Sequence, residues 1–241
     1  MTFGLRSHGI GLVLLDIEGT TTPMSFVYEV LFPYARTRLS AYLRAHAAED
    51  ELRDVLATLR VEWHDDAKRG EQPPDWALAD IPAAARYLDW LMERDRKSPA
   101  LKRIQGDIWK AGFDSGELRP QLFPDVAPAF ERWKAGGVEV AIYSSGSVLA
   151  QKLIFAEHLS LISAFFDTAV GPKRSVDSYT RIAAAVRRDP QTILFVSDVP
   201  EELNASLDAG YQILLAIRPG NRPIDGPETL DEISSFDEII S

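Results

Sequence analysis

Asp16 and Glu18 stand two residues apart at the end of the apolar run Leu12-Val13-Leu14-Leu15, and Gly19, Thr20, Thr21 and Thr22 follow them. A carboxylate so placed can attack phosphorus as a nucleophile, while a second acid beyond a tight turn can give a proton to the leaving oxygen. An apolar run of this kind predicts a strand buried on both faces. In open α/β sheets, reactive groups collect just beyond the carboxyl ends of such strands. The plainer alternative is an aspartate that caps the helix after a strand. What else reaches the same edge decides between them.

Three further segments carry polar groups at comparable places. Ser144 and Ser145 close one apolar stretch, Lys173 follows Gly171-Pro172 in a turn, and Asp198 ends another apolar stretch with Glu201 and Glu202 behind it. Hydroxyls and amides at a strand-to-helix turn bind phosphate oxygens, although serine in that position is equally a helix cap. Lys173 could neutralise both Asp16 and a phosphate, the alternative being a solvated surface lysine. Asp16 and Asp198 would repel each other at one point unless a cation lay between them, which predicts Mg²⁺ held by oxygen ligands and phosphate.

The elements that must position these groups can be read from periodicity. Leu12–Leu15 is the first strand. Helical spacing then dominates: Phe26 to Ala47 with Pro33 expected to kink or divide it, Glu51 to His64, a polar loop at Arg69 to Asp75, Ile81 to Arg94, and Pro99 to Lys110. From Phe123 the chain alternates. Helices are predicted at Ala127 to Ala135, Val148 to Phe155, Ser178 to Arg188 and Glu201 to Ala209, with strands at Val138 to Tyr143, Phe165 to Val170, Thr192 to Val196 and Gln212 to Ile217. Such alternation predicts an α/β fold with a doubly wound parallel sheet. The tail from Pro219, rich in Pro, Gly and acid, should lie on the surface apart from Ile233, Phe236 and Ile239, which are expected to dock.

Composition narrows the function classes. The 241 residues contain no cysteine, which excludes disulfides, thiolate metal sites and cysteine catalysis. A formal charge of -10 argues against non-specific nucleic-acid binding and against adhesion to anionic membranes. No run is apolar enough to span a bilayer, and Met1 to Ile10 leads too quickly into the first strand for a secretory signal, so a soluble cytoplasmic protein is expected. His8, His46, His64 and His158 show no ligand spacing. The tryptophans read mostly as core, Trp109 being the one near which a helical block would rejoin the rest.

Taken in order, the four polar segments resemble the four motifs of the haloacid dehalogenase superfamily of phosphohydrolases. The helical block resembles the cap inserted after the first motif, giving a core of residues 1–22 plus 121–241 and a cap of 23–120. The stretches Asp16 to Pro23, Phe32-Pro33-Tyr34, Gln105-Gly106 with Ile108-Trp109, Ser115 to Leu118, Tyr143 to Lys152 and Ser197-Asp198-Val199 are similar, more narrowly, to the enolase-phosphatase family of methionine salvage. Most of the wider superfamily carries Asp where Glu18 stands.

That resemblance implies Asp16 as nucleophile and Mg²⁺ ligand, and Glu18 as acid/base giving its backbone carbonyl to the metal. It implies Asp198 as the remaining protein ligand, Ser144 and Ser145 as phosphate binders, and Lys173 as a catalytic group that also binds phosphate. Glu202 would orient Lys173 or a metal-bound water, and Trp109 would help cover the substrate. Asn204 stands where many relatives carry Asp. The implied substrate is the phosphorylated diketone 2,3-diketo-5-methylthiopentyl-1-phosphate, handled by a monomer that needs neither nucleic acid nor membrane. Alternatives are a generic small-metabolite phosphatase, a metal-free dehalogenase and a catalytically dead binding module. Glu18 and Asp198 are not needed for carbon–halogen displacement, and none of the four motifs is lost.

Overall fold

The computed structural model describes residues 2–76, 80–94, 96, 98–223 and 230–240. Two compact units emerge, Tyr28–Arg119 and Met1–Val27 with Pro120–Ser241.

The first of these is helical. Its helices are α1 (Phe32–Ala45), α2 (Asp50–Lys68), α3 (Ile81–Glu93) and α4 (Pro99–Asp114). Pro33 was expected to kink or divide the first segment. The segment is divided there: Phe26–Leu31 is wound as a π-helix and Pro33 sits in the opening turn of α1, where its missing N–H costs no hydrogen bond. Asp80 and Ser98 cap α3 and α4 by accepting from Ala83 N and Leu101 N, with Pro82 and Pro99 in the first turns. The buried faces follow the helical repeat, with Tyr87, Leu88 and Leu91 on α3 and Leu101, Ile104 and Ile108 on α4. Asp66 of α2 is buried among donors: Tyr87 Oη at 2.6 Å, Arg96 at 2.7 Å, and Arg69.

The second unit is the α/β layer. Its strands are β1 (Phe3–Gly4), β2 (Leu12–Leu15), β3 (Glu139–Tyr143), β4 (Ala164–Phe166), β5 (Ile193–Ser197), β6 (Gln212–Ala216), β7 (Glu232–Ile233) and β8 (Ile239–Ile240). Between them run α5 (Val126–Ala135), α6 (Val148–Ile154), α7 (Val176–Val186) and α8 (Pro200–Asp208). Six strands form one parallel sheet in the order β4-β3-β2-β5-β6-β7, and β1 pairs with β8 in a second, two-stranded sheet. Every residue of β2 and β5 is buried, as their unbroken apolar runs require.

The chain starts the sheet at its centre with β2, builds β3 and β4 to one side, then crosses back to place β5 against the free side of β2. A change of direction at β2/β5 opens a crevice at the carboxyl ends of these two strands.

One departure from periodicity has a local cause, and the tail docks where it was expected to. The strand expected over Phe165 to Val170 stops at Phe166, because Asp167 accepts from Ala169 N at 2.9 Å and folds the chain into a turn. The tail is structured where it is apolar: Ile233 lies in β7, Ile239 in β8, and Phe236 is fully buried with its ring 5.4 Å from that of Trp133. The expected surface stretch after Pro219 includes residues 224–229, which lie outside the described residues.

Candidate active site

The register fixes which residues meet. Leu15 pairs with Ile142 on one side and Val196 on the other, so Asp16, Tyr143 and Ser197 share one level of the sheet and Ser144 and Asp198 stand one residue beyond it. Asp16 N still donates to Val196 O at 3.0 Å. Its side chain therefore leaves the sheet from a fixed backbone. The chain then closes a tight turn in which Thr20, Thr21 and Thr22 all donate their amides to Ile17 O, at 3.2, 3.0 and 2.9 Å. Gly19 adopts φ +70°, a value that a side chain would strain.

Lys173 is aimed by three hydroxyls that bind three consecutive carbonyls of its loop. Tyr143 Oη donates to Gly171 O at 2.9 Å, Ser178 Oγ to Pro172 O at 2.8 Å, and Tyr179 Oη to Lys173 O at 2.6 Å. The ammonium ends 2.6 Å from Asp16 Oδ1 and 2.5 Å from Glu202 Oε2, with only 9% of the side chain exposed. This is no solvated surface lysine. Ser197 completes the cluster from the neighbouring strand, its Oγ 3.2 Å from Glu202 Oε2 and 3.4 Å from Asp16 Oδ2. A hydroxyl has one proton, so the shorter contact to Glu202 is the better hydrogen bond.

The serine turn after β3 divides its work. Ser147 caps α6 by accepting from Ala150 N at 3.2 Å. Ser144 and Ser145 are thereby spared from capping. Ser144 is buried, accepts from Gly146 N at 3.2 Å, and lies at the carboxyl edge beside Asp16; Ser145 is half-buried. Gln151 holds the turn shut by donating to Gly146 O and Phe166 O.

Glu18 is half-buried and forms a bridge to Thr22 within the turn. Asn204 is exposed on α8 and takes no part in the cluster. Trp109 belongs to the helical unit, where it is buried, donates its indole N–H to Leu31 O at 2.8 Å and stacks near Phe32 at 6.2 Å.

Electrostatics set the character of the site. Burial works against the Lys173 ammonium, but the charges of Asp16 and Glu202 outweigh it and hold its pKa above the ordinary value. Burial, reinforced by Asp16, pushes Asp198 up to about 7, and burial likewise raises Glu202 against the opposing pull of Lys173. Three carboxylates thus share one ammonium, leaving an excess of negative charge at the crevice.

A divalent cation fits this deficit. The Asp16 and Asp198 carboxylates and the backbone carbonyl of Glu18 are all hard oxygen donors. Among the described residues no group of three or more His, Cys, Asp or Glu side chains forms a metal cage, so the remaining positions would fall to water and substrate, as suits Mg²⁺. A β-carbon on Gly19 would collide with Asp198 Oδ2, so glycine at this position leaves the carboxylate its space.

Linkage gives the sign of the pH response. Asp198 in the folded, metal-free protein titrates near 7, well above an unfolded aspartate at about 3.9. Between those values the native state holds a proton that the unfolded chain has released, so this group's contribution to stability declines as pH rises from about 4 to about 7. Thermal melts in chelator should show wild-type protein losing stability relative to Asp198→Asn across that window. A constant difference between the two would contradict the electrostatic description.

Sequence reading assigned no role to Ser197, to the hydroxyls of Tyr143, Ser178 and Tyr179, or to a pair of anchors beyond β6. Arg218, buried between the rings of Phe123 and Phe236 and paired with Asp125 at 2.8 Å, donates Nε to Thr20 O at 3.1 Å. Asn221 donates Nδ2 to Gly19 O and Ala216 O, each at 3.0 Å. Both reach the turn that follows Asp16. The available signal was slight: a polar Arg and Asn immediately after a strand, in a stretch whose composition reads as loop.

Comparison with known proteins gives the same picture. The family model described as haloacid dehalogenase-like hydrolase matches residues 10–210. Enolase-phosphatase E1 of Synechococcus elongatus is 50% identical, over 95% of this chain and 98% of its own. A longer protein of Vitis vinifera, named as a probable bifunctional methylthioribulose-1-phosphate dehydratase/enolase-phosphatase E1, is 42% identical over 94% of this chain and 46% of its own. The crystal structure of the UTR4 protein of Saccharomyces cerevisiae superposes with a TM-score of 0.76 at 30% identity, covering 95% of this chain and 99% of that one. With an α/β core that gathers Asp16, Lys173, Ser144 and Asp198 at one sheet edge, the chain belongs to the enolase-phosphatase E1 family of haloacid dehalogenase-like hydrolases and is a phosphatase.

Proposed function

We propose that this protein is an Mg²⁺-dependent enolase-phosphatase that converts 2,3-diketo-5-methylthiopentyl-1-phosphate to 1,2-dihydroxy-3-keto-5-methylthiopentene and phosphate in methionine salvage, acting as a cytoplasmic monomer. The observation that carries the phosphatase half is the buried Asp16–Lys173–Glu202 cluster at the β2/β5 crevice. The substrate is supported by the grape relative, whose name joins this unit to a dehydratase of methylthioribulose-1-phosphate. Loss of water from that sugar phosphate and ketonisation of the enol leave a methylthio diketone that still carries the phosphate.

Asp16 Oδ1 is held by Ile17 N at 2.7 Å and by Lys173, which leaves the lone pairs of Oδ2 for phosphorus. As the Asp16–phosphorus bond forms, the bond from phosphorus to the substrate oxygen breaks and Glu18 gives that oxygen a proton. Glu18 then takes a proton from water as it attacks the aspartyl-phosphate, which restores Asp16 and releases phosphate. Lys173 steadies charge on the transferring group throughout, and Ser144 and Ser145 bind its oxygens. Asp16, Asp198 and the Glu18 carbonyl would hold Mg²⁺, which would supply positive charge for the phosphate and for the carbonyl oxygens of the substrate.

Selectivity for the methylthio end is assigned to the helical unit, with Trp109 acting through the Leu31–Phe32 segment that its indole holds. Purified protein with Mg²⁺ and the diketo phosphate should show an enol absorbance and free phosphate, each followed separately. Trp109→Phe, which loses the N–H but keeps a ring, should lower kcat/KM for the diketo phosphate more than for an aryl phosphate. Phosphate release without any enol signal would instead indicate a generic phosphatase. Equal losses on both substrates would reduce Trp109 to a packing role.

A further inference from the structure

We infer that Asn221 is a positioning residue of the cation site: its side-chain oxygen accepts a hydrogen bond from a water that the divalent cation carries beside Asp198. This rests on the reading of Asp16, Asp198 and the Glu18 carbonyl as the cation's protein donors.

The orientation of the Asn221 amide is fixed by what surrounds it. Its Nδ2 lies 3.0 Å from Gly19 O and 3.0 Å from Ala216 O, and two carbonyl oxygens can be faced only by the NH₂ end. Oδ1 is therefore turned the other way. There it is buried and has no hydrogen-bond partner among the described residues.

What it faces is informative. A β-carbon placed on Gly19 would collide with Asp198 Oδ2 and lie 2.9 Å from Asn221 Oδ1, so both oxygens converge on the space that glycine leaves open. Two acceptors turned to one space repel each other, and a buried acceptor left unmade is costlier than one never brought inside. A donor between them removes both problems. Water on a divalent cation is a strong donor because the ion polarises it, and Mg²⁺ keeps several of its waters when it binds protein carboxylates.

The same amide also ties down the cation's backbone donor. Gly19 follows Glu18 directly, so Nδ2 on Gly19 O fixes the peptide beside the Glu18 carbonyl, while Arg218 Nε on Thr20 O fixes the next one. Asn221 N in turn donates to Arg218 O at 3.1 Å, which makes the two anchors a single turn. Asn221 thus has two separable roles, an anchoring N–H₂ and an accepting oxygen.

Two substitutions separate them. Asn221→Ala and Asn221→Asp both lose the N–H₂, so a purely anchoring role would weaken the site alike in each. Only Asn221→Asp keeps an acceptor, with added negative charge. Isothermal titration of Mg²⁺ into the metal-free full chain, without substrate, should show Asn221→Ala weakened on the order of tenfold, as is usual for partners of metal-bound groups. Asn221→Asp should bind at least as tightly as wild type. Parallel losses in both variants, or wild-type affinity in Asn221→Ala, would overturn the proposal.

If Asn221→Asp does not fold by circular dichroism, Asn221→Ser, which retains a hydroxyl acceptor, takes its place and should bind more tightly than Asn221→Ala; equal affinity would overturn it too. Asp198→Asn tests the underlying reading. It should lose most Mg²⁺ binding, and undiminished affinity there would refute the cation site itself, whereas loss there with wild-type affinity in Asn221→Ala refutes only the part assigned to Asn221.

Discussion

Asp16→Asn should give a folded protein that releases phosphate at a rate reduced on the order of 10⁴-fold or more, in line with the loss of a nucleophile in other covalent catalysts. The substitution keeps the volume of the side chain, so the buried packing at the end of β2 is retained and Ile17 N keeps an acceptor. What disappears is the charge opposite Lys173 and the oxygen that attacks phosphorus. Binding of Mg²⁺ should weaken as well, since one of two carboxylates in the site is neutralised. A native circular dichroism spectrum with near-normal turnover would contradict the assignment.

Lys173→Met should be the more damaging change to the fold. Removing the ammonium leaves Asp16 and Glu202 buried side by side, and an uncompensated buried charge costs about 3–5 kcal/mol. The pH dependence distinguishes this from loss of packing. As pH falls through the carboxylate range the stranded acids take up protons and their repulsion fades, so the gap between wild-type and variant melting temperatures should narrow on acidification. Lys173→Met with Glu202→Gln should recover part of the loss, and the double-mutant cycle isolates the pair. A gap that is the same at neutral and acidic pH would mean that the ion pairs do not hold the loop.

Some of this was legible in the sequence for clear reasons. The run Leu12–Leu15 is apolar at every position because β2 is buried on both faces of the sheet, and an aspartate directly after such a run has few places to go except the sheet edge. The alternation after Phe123 exposed the parallel sheet because parallel neighbours must be joined by crossovers, which are helices here. Lys173 was ambiguous because its environment is assembled from distant segments: nothing around Gly171-Pro172 in the chain indicates that Asp16 and Glu202 will converge on it. Ser197 hid as one polar residue at the end of an apolar strand. Its position beside Asp16 follows from register, which composition does not encode.

Arg218 and Asn221 were hidden differently. Asn221 lies where Pro, Gly and acidic residues suggest a surface tail and Arg218 directly before it, yet Arg218 is almost fully buried because two aromatic rings and Asp125 enclose it. The π-helix at Phe26–Leu31 could not be read either, because i→i+5 winding leaves no sequence repeat distinct from that of an α-helix interrupted by proline. Ser144 and Ser145 were balanced between capping and ligand binding until Ser147 was seen to cap α6 in their place.

The central claim is that Asp16 receives the phosphoryl group, and trapping that species tests it most directly. Glu18→Gln retains the nucleophile and Lys173 but lacks both the proton donor of the first step and the base of the second, so phosphorylated enzyme should form slowly and then persist when Mg²⁺ and the diketo phosphate are added. Acid quench, proteolysis and mass spectrometry should find the peptide containing Asp16 heavier by one phosphoryl group, and fragmentation should place that group on Asp16. The adduct should be missing from Asp16→Asn/Glu18→Gln. Steady phosphate release by the wild-type enzyme with no adduct on Asp16 under any quench, or an adduct on another residue, would contradict the account.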